Sequence, residues 1–497
     1  MKEFQTSAEV TSVLSDYLIA RENNIFLSLS MPRLLLLFIV LSGCTSGLQL
    51  EGDYLGILKL STRTFQLYLH LDDKSSIQNI TLKPQEFELD TIYSKGDSLY
   101  FLSEDHTVAY KGKYDRIRNS FAGQWIIEDT IFRKLDFVRV NPDTLRGMHT
   151  RVTPYVYNSP VVREDSMSVS SLEEEAMNKD KLDALTQKII EGTYEDIHSL
   201  LVARHGHLVY EEYFYNYHRD HVNNIQSATK SLVSALVGIA LAKGEIRSTA
   251  TTLCQYLKGY ESLACNEQNK NIALGEVLTM NTGIPWDEQT FDYTDERNGL
   301  AIAANEQDQF VYLLNQPRSP TTGFAYNSVN HLLMNAVLKE ATKLDNRTEL
   351  LTRLLSPLGI REHDISEETP MGVIGDIGLC PRDMMKFGLL YLNKGNWQGH
   401  QLISEEWISL STSPHIQVTD DLSYGYFWWT KEFDYKGKRI ESYFAWGYGG
   451  QYIVVIPKLE LVVVMSASHW TTHPQGQGLD IVQEVVNAVE KELTAFK

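Results

Sequence analysis

The fold is decided by the stretch Ser227-Ala-Thr-Lys230-Ser231-Leu-Val-Ser-Ala-Leu-Val-Gly-Ile-Ala-Leu-Ala-Lys243-Gly244. Nearly every position from Leu232 to Leu241 is apolar, which predicts a helix that is buried over most of its circumference. Gly244 supplies a stop at the C-terminal end. Lys230 follows Ser227 by three residues, so the two side chains are expected on one face of the helix.

This Ser-x-x-Lys spacing puts a candidate nucleophile and its base within one helical turn. A serine hydroxyl is a poor nucleophile until a neighbour takes its proton, and a lysine can do so only when it is neutral. Burial and the positive end of the helix dipole both disfavour the ammonium form. The spacing occurs only here in the chain, but it also arises by chance. In that case Ser227 would cap the helix and Lys230 would extend to solvent.

The length and net charge of the chain limit the number of domains and the kinds of partner that we expect. A chain of 497 residues has room for more than one domain. Its formal net charge of −19 and its pI near 5.2 argue against nucleic acid or an anionic membrane surface as a partner.

Residues 1–44 are predicted to be an upstream extension followed by an export signal. Met31-Pro-Arg33 precedes an apolar run at 34–41 and then Ser42-Gly43-Cys44, an order typical of a signal peptide with its cleavage site. The run is too short to span a bilayer. The tract resembles a bacterial lipoprotein signal, which implies that Met31 is the true start and that Cys44 is lipidated. The protein is then expected in the periplasm or at the outer membrane, held by its lipid anchor only. The alternative is a cysteine that merely follows a secretory signal.

The remaining chain divides into three regions. Residues 48–140 are expected to form a small all-β domain, because 65–71 alternates with period two and further short strands follow. Residues 141–165 lack a periodic pattern and carry three prolines, which predicts a linker. Residues 166–497 are expected to form the catalytic domain.

Histidine and cysteine patterns add little chemistry. His205 and His207 flank a predicted hairpin turn, and no further pattern completes a zinc set, so neither a metal nor an organic cofactor is expected. In an exported protein Cys254 and Cys265 would be able to close a short disulfide loop, with Cys380 left over, but spacing alone does not decide this pairing.

Two further stretches carry candidate site residues. Tyr326-Asn-Ser328 stands at the head of an apolar helix, where a phenol near cationic groups can shuttle protons. Trp446-Gly-Tyr448-Gly-Gly450 lies between two predicted strands, and such a glycine-rich corner lets backbone amides approach a substrate. These amides would complete an oxyanion hole with the Ser227 amide. The alternative is an ordinary hairpin turn.

The order of the three motifs resembles the serine hydrolases of the β-lactamase superfamily, with the class C β-lactamase and penicillin-binding-protein fold. Within it, the second and third motifs are most similar to the branch of esterases and 6-aminohexanoate-dimer hydrolase. The resemblance covers about 168–497. It implies an α/β (α+β) β-lactamase/transpeptidase-like domain, in which an antiparallel sheet is flanked by helices, preceded by the small all-β domain.

The resemblance also implies roles for individual residues. Ser227 matches the acylated nucleophile, Lys230 the residue that deprotonates it, and Tyr326 the tyrosine that relays protons to the leaving group. The amides of Ser227 and Tyr448 match the oxyanion hole. Substrate-binding positions are matched by Ser328, Trp446 and Gly447. Which of the lysine and the tyrosine is the resting base stays open, because coupled groups titrate as a set.

Two departures from the family pattern bear on substrate. Ala445 stands where β-lactamases and transpeptidases carry a cation that binds the substrate carboxylate, and Ser328 replaces the asparagine of Tyr-x-Asn. The expected function is therefore an exported serine hydrolase that cleaves ester or amide bonds of small substrates through an acyl-enzyme on Ser227. The alternatives are a cell-wall D,D-peptidase, a β-lactamase or penicillin-binding sensor, or a non-catalytic binding lipoprotein of the same fold. A Ser-His-Asp α/β-hydrolase is disfavoured because the chain lacks a G-x-S-x-G elbow.

Overall fold

The computed structural model divides the chain into two compact units, Met1–Leu145 and Arg146–Lys497. The residues that it describes are 52–59, 64–71, 76–79, 85–95, 97–103, 108–127, 130–139, 148–149, 155–215, 217–291, 293, 295–319, 323–361, 363–368, 373–468 and 475–490. The predicted signal segment and its lipidation site, Cys44, lie outside them. Among the described residues, no helix combines the length and the apolar character that crossing a membrane requires.

The first unit contains eight antiparallel strands that close into a barrel. The strands are β1 Gly52–Lys59, β2 Thr64–Leu71, β3 Ser76–Asn79, β4 Gln85–Lys95, β5 Ser98–Ser103, β6 Val108–Asp115, β7 Ser120–Ile127 and β8 Thr130–Arg139. β1 pairs with β8, and this pairing closes the ring. Leu67, Leu69 and Leu71, which form one of the two faces predicted for β2, are all buried.

The buried core of the barrel contains aromatic side chains together with leucines. Phe101 stacks on Tyr110, and Phe137 meets the Tyr110 ring edge-on. A Cβ atom at Gly112 or Gly123 would lie 2.4 Å or 2.3 Å from the Tyr110 hydroxyl oxygen. These two positions therefore stay side-chain-free so that the tyrosine can cross the interior, where its hydroxyl donates to the Leu135 carbonyl at 3.1 Å.

The second unit is built on one sheet with the strand order β10-β12-β11-β23-β22-β21-β20-β19-β18. Its strands are β9 Met148–His149, β10 Ser168–Val169, β11 Ile197–Arg204, β12 His207–Phe214, β18 Ile416–Gln417, β19 Ser423–Tyr424, β20 Trp429–Tyr435, β21 Lys438–Gly447, β22 Gln451–Ile456 and β23 Leu461–Ala467. The expected antiparallel pairing holds from β12 to β18. The sheet is nevertheless mixed, because β9 and β10 pair parallel to β12. A parallel neighbour requires a long connection, and here that connection contains the first helix and β11.

Smaller strands lie outside this sheet. They are β13 Asn223–Asn224, β14 His363–Glu368 and β15 Val373–Leu379, which form a three-stranded sheet, and the pair β16 Asn396–Trp397 and β17 His400–Gln401. The helices are α1 Lys179–Ile190, α2 Thr229–Ala242, α3 Glu261–Ala264, α4 Leu274–Leu278, α5 Gly299–Asn305, α6 Gln309–Leu314, α7 Val329–Thr342, α8 Asn346–Leu350, α9 Pro381–Leu392, α10 Glu405–Thr412 and α11 Gln475–Asn487.

Helices cover both faces of the large sheet. A Cβ at Gly478 of α11 would meet the Tyr452 ring at 2.3 Å, and a Cβ at Gly388 of α9 would meet Val462 at 2.6 Å and Ile453 at 3.0 Å. Since consecutive residues of a strand point to opposite faces, the contacts to Tyr452 and Ile453 place α11 and α9 on opposite sides. The expected arrangement of a sheet flanked by helices is therefore present.

Helix α2 is buried as its apolar run predicts. Every residue from Thr229 to Ala240 is buried. The helix ends at Ala242, and Gly244 follows with a φ of 71°, a conformation that glycine adopts without strain. A Cβ at Gly238 would lie 2.1 Å from the Trp407 ring of α10, so this glycine lets the two helices approach closely.

Two further features of the second unit bear on the sequence predictions. Cys254 and Cys265 are joined by a disulfide, and Cys380 is buried outside it. Part of the segment predicted as a linker packs on this unit, because Arg382 donates to Asp165 at 2.7 Å and the Tyr157 hydroxyl donates to the Val209 carbonyl at 2.8 Å.

Candidate active site

Ser227 lies in a short 3-10 turn, Gln226–Ala228, that joins β13 to α2. The three-stranded sheet holds this turn in place, because the Ile225 amide donates to the carbonyl of Ile377 in β15 at 2.9 Å. Gln226 has a φ of 51°, which is uncommon for a residue with a side chain, and its amide donates to Asn224 Oδ1 at 2.8 Å. The residue at the N-cap position of α2 is Ala228 and not Ser227. The Ser227 hydroxyl is therefore not used as a helix cap.

Lys230 points to the nucleophile from the first turn of α2. Its Nζ donates to Ser227 Oγ at 2.8 Å and to Ser328 Oγ at 3.3 Å, and it lies 5.0 Å from the centre of the Tyr326 ring. The side chain does not extend to solvent, since the residue is only 3% exposed. The structure thus brings together the serine and the lysine that the Ser-x-x-Lys spacing placed on one face.

Tyr326 completes the group around the nucleophile. It precedes α7, is buried, and its hydroxyl is hydrogen-bonded to Ser227. Burial, and then the negative charge of Glu288, raise the pKa of Tyr326 above its ordinary value. The phenol is therefore protonated at neutral pH.

Glu288 is a site residue that the sequence reasoning missed. Its carboxylate accepts from the Ser328 hydroxyl at 2.6 Å, from the Ser328 amide at 2.9 Å and from Trp286 Nε1 at 2.7 Å. Asn298 holds the loop in place by donating to the Glu288 carbonyl at 3.2 Å. Burial raises the pKa of the Glu288 carboxyl, while the charge of Lys230 and the hydrogen bonds from Ser328 and Trp286 oppose that rise.

No sequence signal marks this glutamate. It is one acidic residue among 64, and it follows Trp286 and Asp287 in a loop between α4 and α5 that has no periodic pattern. Helical spacing relates Ser227 to Lys230, but no spacing rule relates a loop carboxylate to either of them.

The third motif lies directly against the nucleophile turn. β21 ends at Gly447 and β22 begins at Gln451, so the glycine-rich corner joins two strands as expected. A Cβ at Gly447 would lie 2.1 Å from the Ile225 carbonyl oxygen, so only glycine lets the strand end approach this closely. The backbone at Gly447 is therefore a neighbour of the backbone that leads into Ser227.

Aromatic rings surround this group. Trp429 stacks on Tyr326 at 5.8 Å between ring centres and lies 5.3 Å from Trp446, and Tyr448 meets Tyr293 at 5.0 Å. Ala445, at the position where the family carries a cation, is buried. These residues give the site apolar, flat walls.

Charge near the nucleophile is mostly negative. Besides Lys230 and Glu288, the carboxylate of Asp376 lies near Tyr326, where its charge helps to raise the pKa of the phenol. Asp376 accepts from Asn224 Nδ2 at 3.2 Å. Within the described part of the chain, no group of three or more His, Cys, Asp or Glu side chains is arranged to hold a metal ion.

Comparison with solved structures shows the same fold in several hydrolases. A putative 6-aminohexanoate-dimer hydrolase from Bacillus anthracis is 17% identical, with 66% of this chain and 88% of that chain covered and a TM-score of 0.50. A putative β-lactamase from Bacteroides dorei is 14% identical, with coverages of 63% and 100% and a TM-score of 0.51. A family VIII carboxylesterase is 14% identical, with coverages of 65% and 98% and a TM-score of 0.50. At these identities the likeness concerns the fold alone.

Comparison with protein families gives a more direct result. The family model described as Beta-lactamase matches residues 186–487, a span that includes all three motifs. The resemblance noted from the motifs and the expected fold class are both confirmed by this match. Because it extends over more than half of the 497 residues, the chain belongs to the β-lactamase family and is a serine hydrolase.

Proposed function

We propose that the protein is an exported esterase or amidase that acts on small, neutral or apolar substrates through an acyl-enzyme on Ser227. The observation that carries the proposal is the 2.8 Å hydrogen bond between Lys230 Nζ and Ser227 Oγ inside a buried site. A serine with its proton acceptor already in place is the starting arrangement for nucleophilic catalysis.

The proposed reaction proceeds in two steps, acylation of Ser227 and hydrolysis of the acyl-enzyme. Neutral Lys230 takes the hydroxyl proton while Ser227 Oγ forms a bond to the substrate carbonyl carbon. The oxyanion that develops is stabilised by the amides of Ser227 and Tyr448. Collapse of the intermediate breaks the bond to the leaving group, which receives a proton. A water molecule then repeats the sequence on the acyl-enzyme and releases the acid.

Tyr326 supplies the proton for the leaving group in this scheme. Because its pKa lies above the ordinary value of a tyrosine, the phenol holds its proton in the resting enzyme and acts as an acid rather than a base. The Lys230 ammonium, which carries the proton taken from Ser227, then returns that proton to the Tyr326 phenolate directly, since its Nζ lies 5.0 Å from the centre of the Tyr326 ring. This assigns the base to the lysine and the acid to the tyrosine.

Charge and shape of the site support the substrate class. Asp376 adds negative charge near the nucleophile, and buried Ala445 offers no cation to a substrate carboxylate. Trp429 and Trp446 suit an apolar acyl or leaving group. The fold is shared with proteins named as a carboxylesterase and a 6-aminohexanoate-dimer hydrolase, whose names denote ester and amide cleavage. A β-lactamase, a D,D-peptidase or a penicillin-binding sensor would need a carboxylate contact.

We expect the chain to hydrolyse p-nitrophenyl acetate and butyrate with a kcat/KM at least about 10-fold above that for nitrocefin, because a missing charge-assisted contact costs roughly 1.5–3 kcal/mol. Steady-state kinetics on the three substrates measures the ratio. A labelled penicillin serves as a parallel probe. Nitrocefin turnover equal to ester turnover, or a long-lived penicillin adduct in place of ester turnover, would refute the proposed substrate class.

Export and lipidation at Cys44 are also part of the proposal. The signal-like tract at 31–44 supports them, and so does the disulfide between Cys254 and Cys265, since disulfides persist mainly in oxidising compartments. In bacteria fed a palmitate analogue, we expect label on the wild-type chain and none on Cys44→Ser. Equal labelling of the two chains would contradict lipidation at this residue.

A further inference from the structure

Glu288 is a buried carboxyl group to which the proposed mechanism assigns no task. We infer that it takes the proton that Lys230 must lose: a hydrogen-bonded chain from Lys230 through the Ser328 hydroxyl to Glu288 converts the ammonium–carboxylate pair into a neutral amine and a carboxylic acid. The neutral Lys230 is then the base for Ser227. The inference rests on the proposed function, because it concerns how the lysine of that mechanism becomes active. Because Glu288 acts on Lys230 through Ser328 and does not touch the substrate, we call it a positioning residue and not a catalytic one.

The direction of the hydrogen bonds supports a proton path. Ser328 Oγ donates to Glu288 Oε1 at 2.6 Å, so its proton already points to the carboxylate. The same oxygen accepts from Lys230 Nζ at 3.3 Å. The Ser328 amide fixes the second carboxylate oxygen at 2.9 Å, which keeps the carboxylate in this orientation. One hydroxyl therefore links the cation to the anion.

The proton transfer is balanced without any further reactant. An N–H bond of the Lys230 ammonium breaks and its proton forms a new O–H bond at Ser328, while the original Ser328 proton forms an O–H bond at Glu288 Oε1. Ser328 is a neutral hydroxyl before and after the transfer. The net charge of the pair is zero in both states, so nothing has to enter from solvent.

Burial favours the neutral form of the pair. Lys230, Ser328 and Glu288 are 3%, 7% and 2% exposed, and keeping an ion out of water costs several kcal/mol. Burial raises the pKa of Glu288, which eases its protonation. The other titratable or charged groups that face the pair are Tyr326 and Tyr424, both with pKa values raised by burial, His331, whose pKa burial and then Lys230 lower to about 3, and Asp376 across the Tyr326 ring.

A rival role for Glu288 predicts a different outcome for the pH profile of a variant without its charge. If the Glu288 carboxylate were a permanently charged counter-ion, it would stabilise the Lys230 ammonium, and the protonated lysine would be unable to act as a base. Removing its charge would then make the lysine neutral at lower pH and leave activity unchanged or higher. If Glu288 instead already holds the proton in the resting pair, glutamine replaces a neutral carboxylic acid, and the pH at which Lys230 becomes neutral stays where it is in wild type.

Glu288→Gln tests the inference, because glutamine keeps the shape and can still accept from Ser328 but cannot take a proton. We expect the acidic limb of the kcat/KM profile for p-nitrophenyl acetate to stay in place in Glu288→Gln, because glutamine leaves Lys230 beside a neutral group, as the protonated Glu288 does. Wild type at neutral pH is expected to show the infrared carbonyl band of a buried carboxylic acid, and Glu288→Gln is expected to lack it. The rate at which a fluorophosphonate probe labels Ser227 is measured over the same pH range. Ser328→Ala removes the hydroxyl that links Lys230 to Glu288 and is expected to slow the labelling of Ser227, whereas Ser328→Thr, which keeps a hydroxyl, is expected to be labelled at the wild-type rate.

Glu296→Gln is the matched control, since this exposed glutamate lies in the same loop and should leave the profile unchanged. A limb that moves to lower pH in Glu288→Gln, or wild type without the carboxylic-acid band, overturns the inference, and so does a uniform loss at all pH values together with a lowered Tm, which denotes a structural role. The experiment distinguishes a failure of the proposed function from a failure of the inference about Glu288. Wild type without ester turnover refutes the proposed function, while the labelling profiles still decide the role of Glu288.

Discussion

Ser227→Ala is expected to lower kcat/KM for ester hydrolysis by about 10³-fold or more, to the background rate. The hydroxyl is the atom that would form the acyl bond, and it is the group to which Lys230 donates at 2.8 Å and with which Tyr326 is hydrogen-bonded. Alanine fits the 3-10 turn without a clash, because the change only removes an atom. The loss should therefore appear in turnover and not in folding.

Ser231→Ala provides a matched control for this change. Ser231 lies one turn further along α2, and its hydroxyl donates to the Phe427 carbonyl at 2.7 Å, away from the nucleophile. Its removal should cost about 1 kcal/mol of stability and little activity. Mass spectrometry after fluorophosphonate treatment should find the adduct on residue 227 in wild type and in Ser231→Ala, and no adduct in Ser227→Ala. Retained turnover in Ser227→Ala would disprove the nucleophile and favour the binding-lipoprotein alternative.

Features that depend on neighbouring residues were predictable from sequence. The apolar run of α2 predicted its burial, and the period of the helix placed Lys230 beside Ser227. The hairpin of β11 and β12 follows from its His205-Gly206 turn, whose positive φ values of 50° and 83° match the twist of the strands. In each case the pattern repeats over a few residues, so the physical cause lies within the quoted stretch.

Features that depend on distant residues were not predictable in this way. Alternating residues indicated strands in the first unit, but the pairing of β1 with β8 that closes the barrel leaves no local mark. The parallel strands β9 and β10 contain two residues each, too few for a period to appear. Glu288 reaches the site through a loop held by Asn298 and Trp286. The resemblance supplied the order of the three motifs, yet this carboxylate belongs to none of them.

Lys230→Met is expected to lower kcat/KM by about 10³-fold or more, since it removes the proposed base while methionine fills nearly the same buried volume. Fluorophosphonate labelling of Ser227 should slow in parallel. Lys243→Met, at the exposed end of the same helix, is the matched control and should retain activity. Activity in Lys230→Met within about 10-fold of wild type would contradict the role of the lysine and would return the base to Tyr326.

The same variant has a second, pH-dependent consequence. Burial already raises the pKa of Glu288, and the charge of Lys230 opposes that rise, so the pKa should climb further once the cation is gone. A carboxyl whose folded-state pKa exceeds the unfolded value binds more protons in the folded state, and stability is then lost as pH rises from the unfolded toward the folded pKa. The Tm of Lys230→Met should therefore fall more steeply than that of wild type as pH rises from the ordinary pKa of a glutamate toward the raised pKa of Glu288. Adding Glu288→Gln should remove this extra slope, because the double variant has no buried carboxyl left to ionise. If the slope persists in the double variant, Glu288 is not its source, and the electrostatic coupling between Lys230 and Glu288 is weaker than their shared contacts with Ser328 imply.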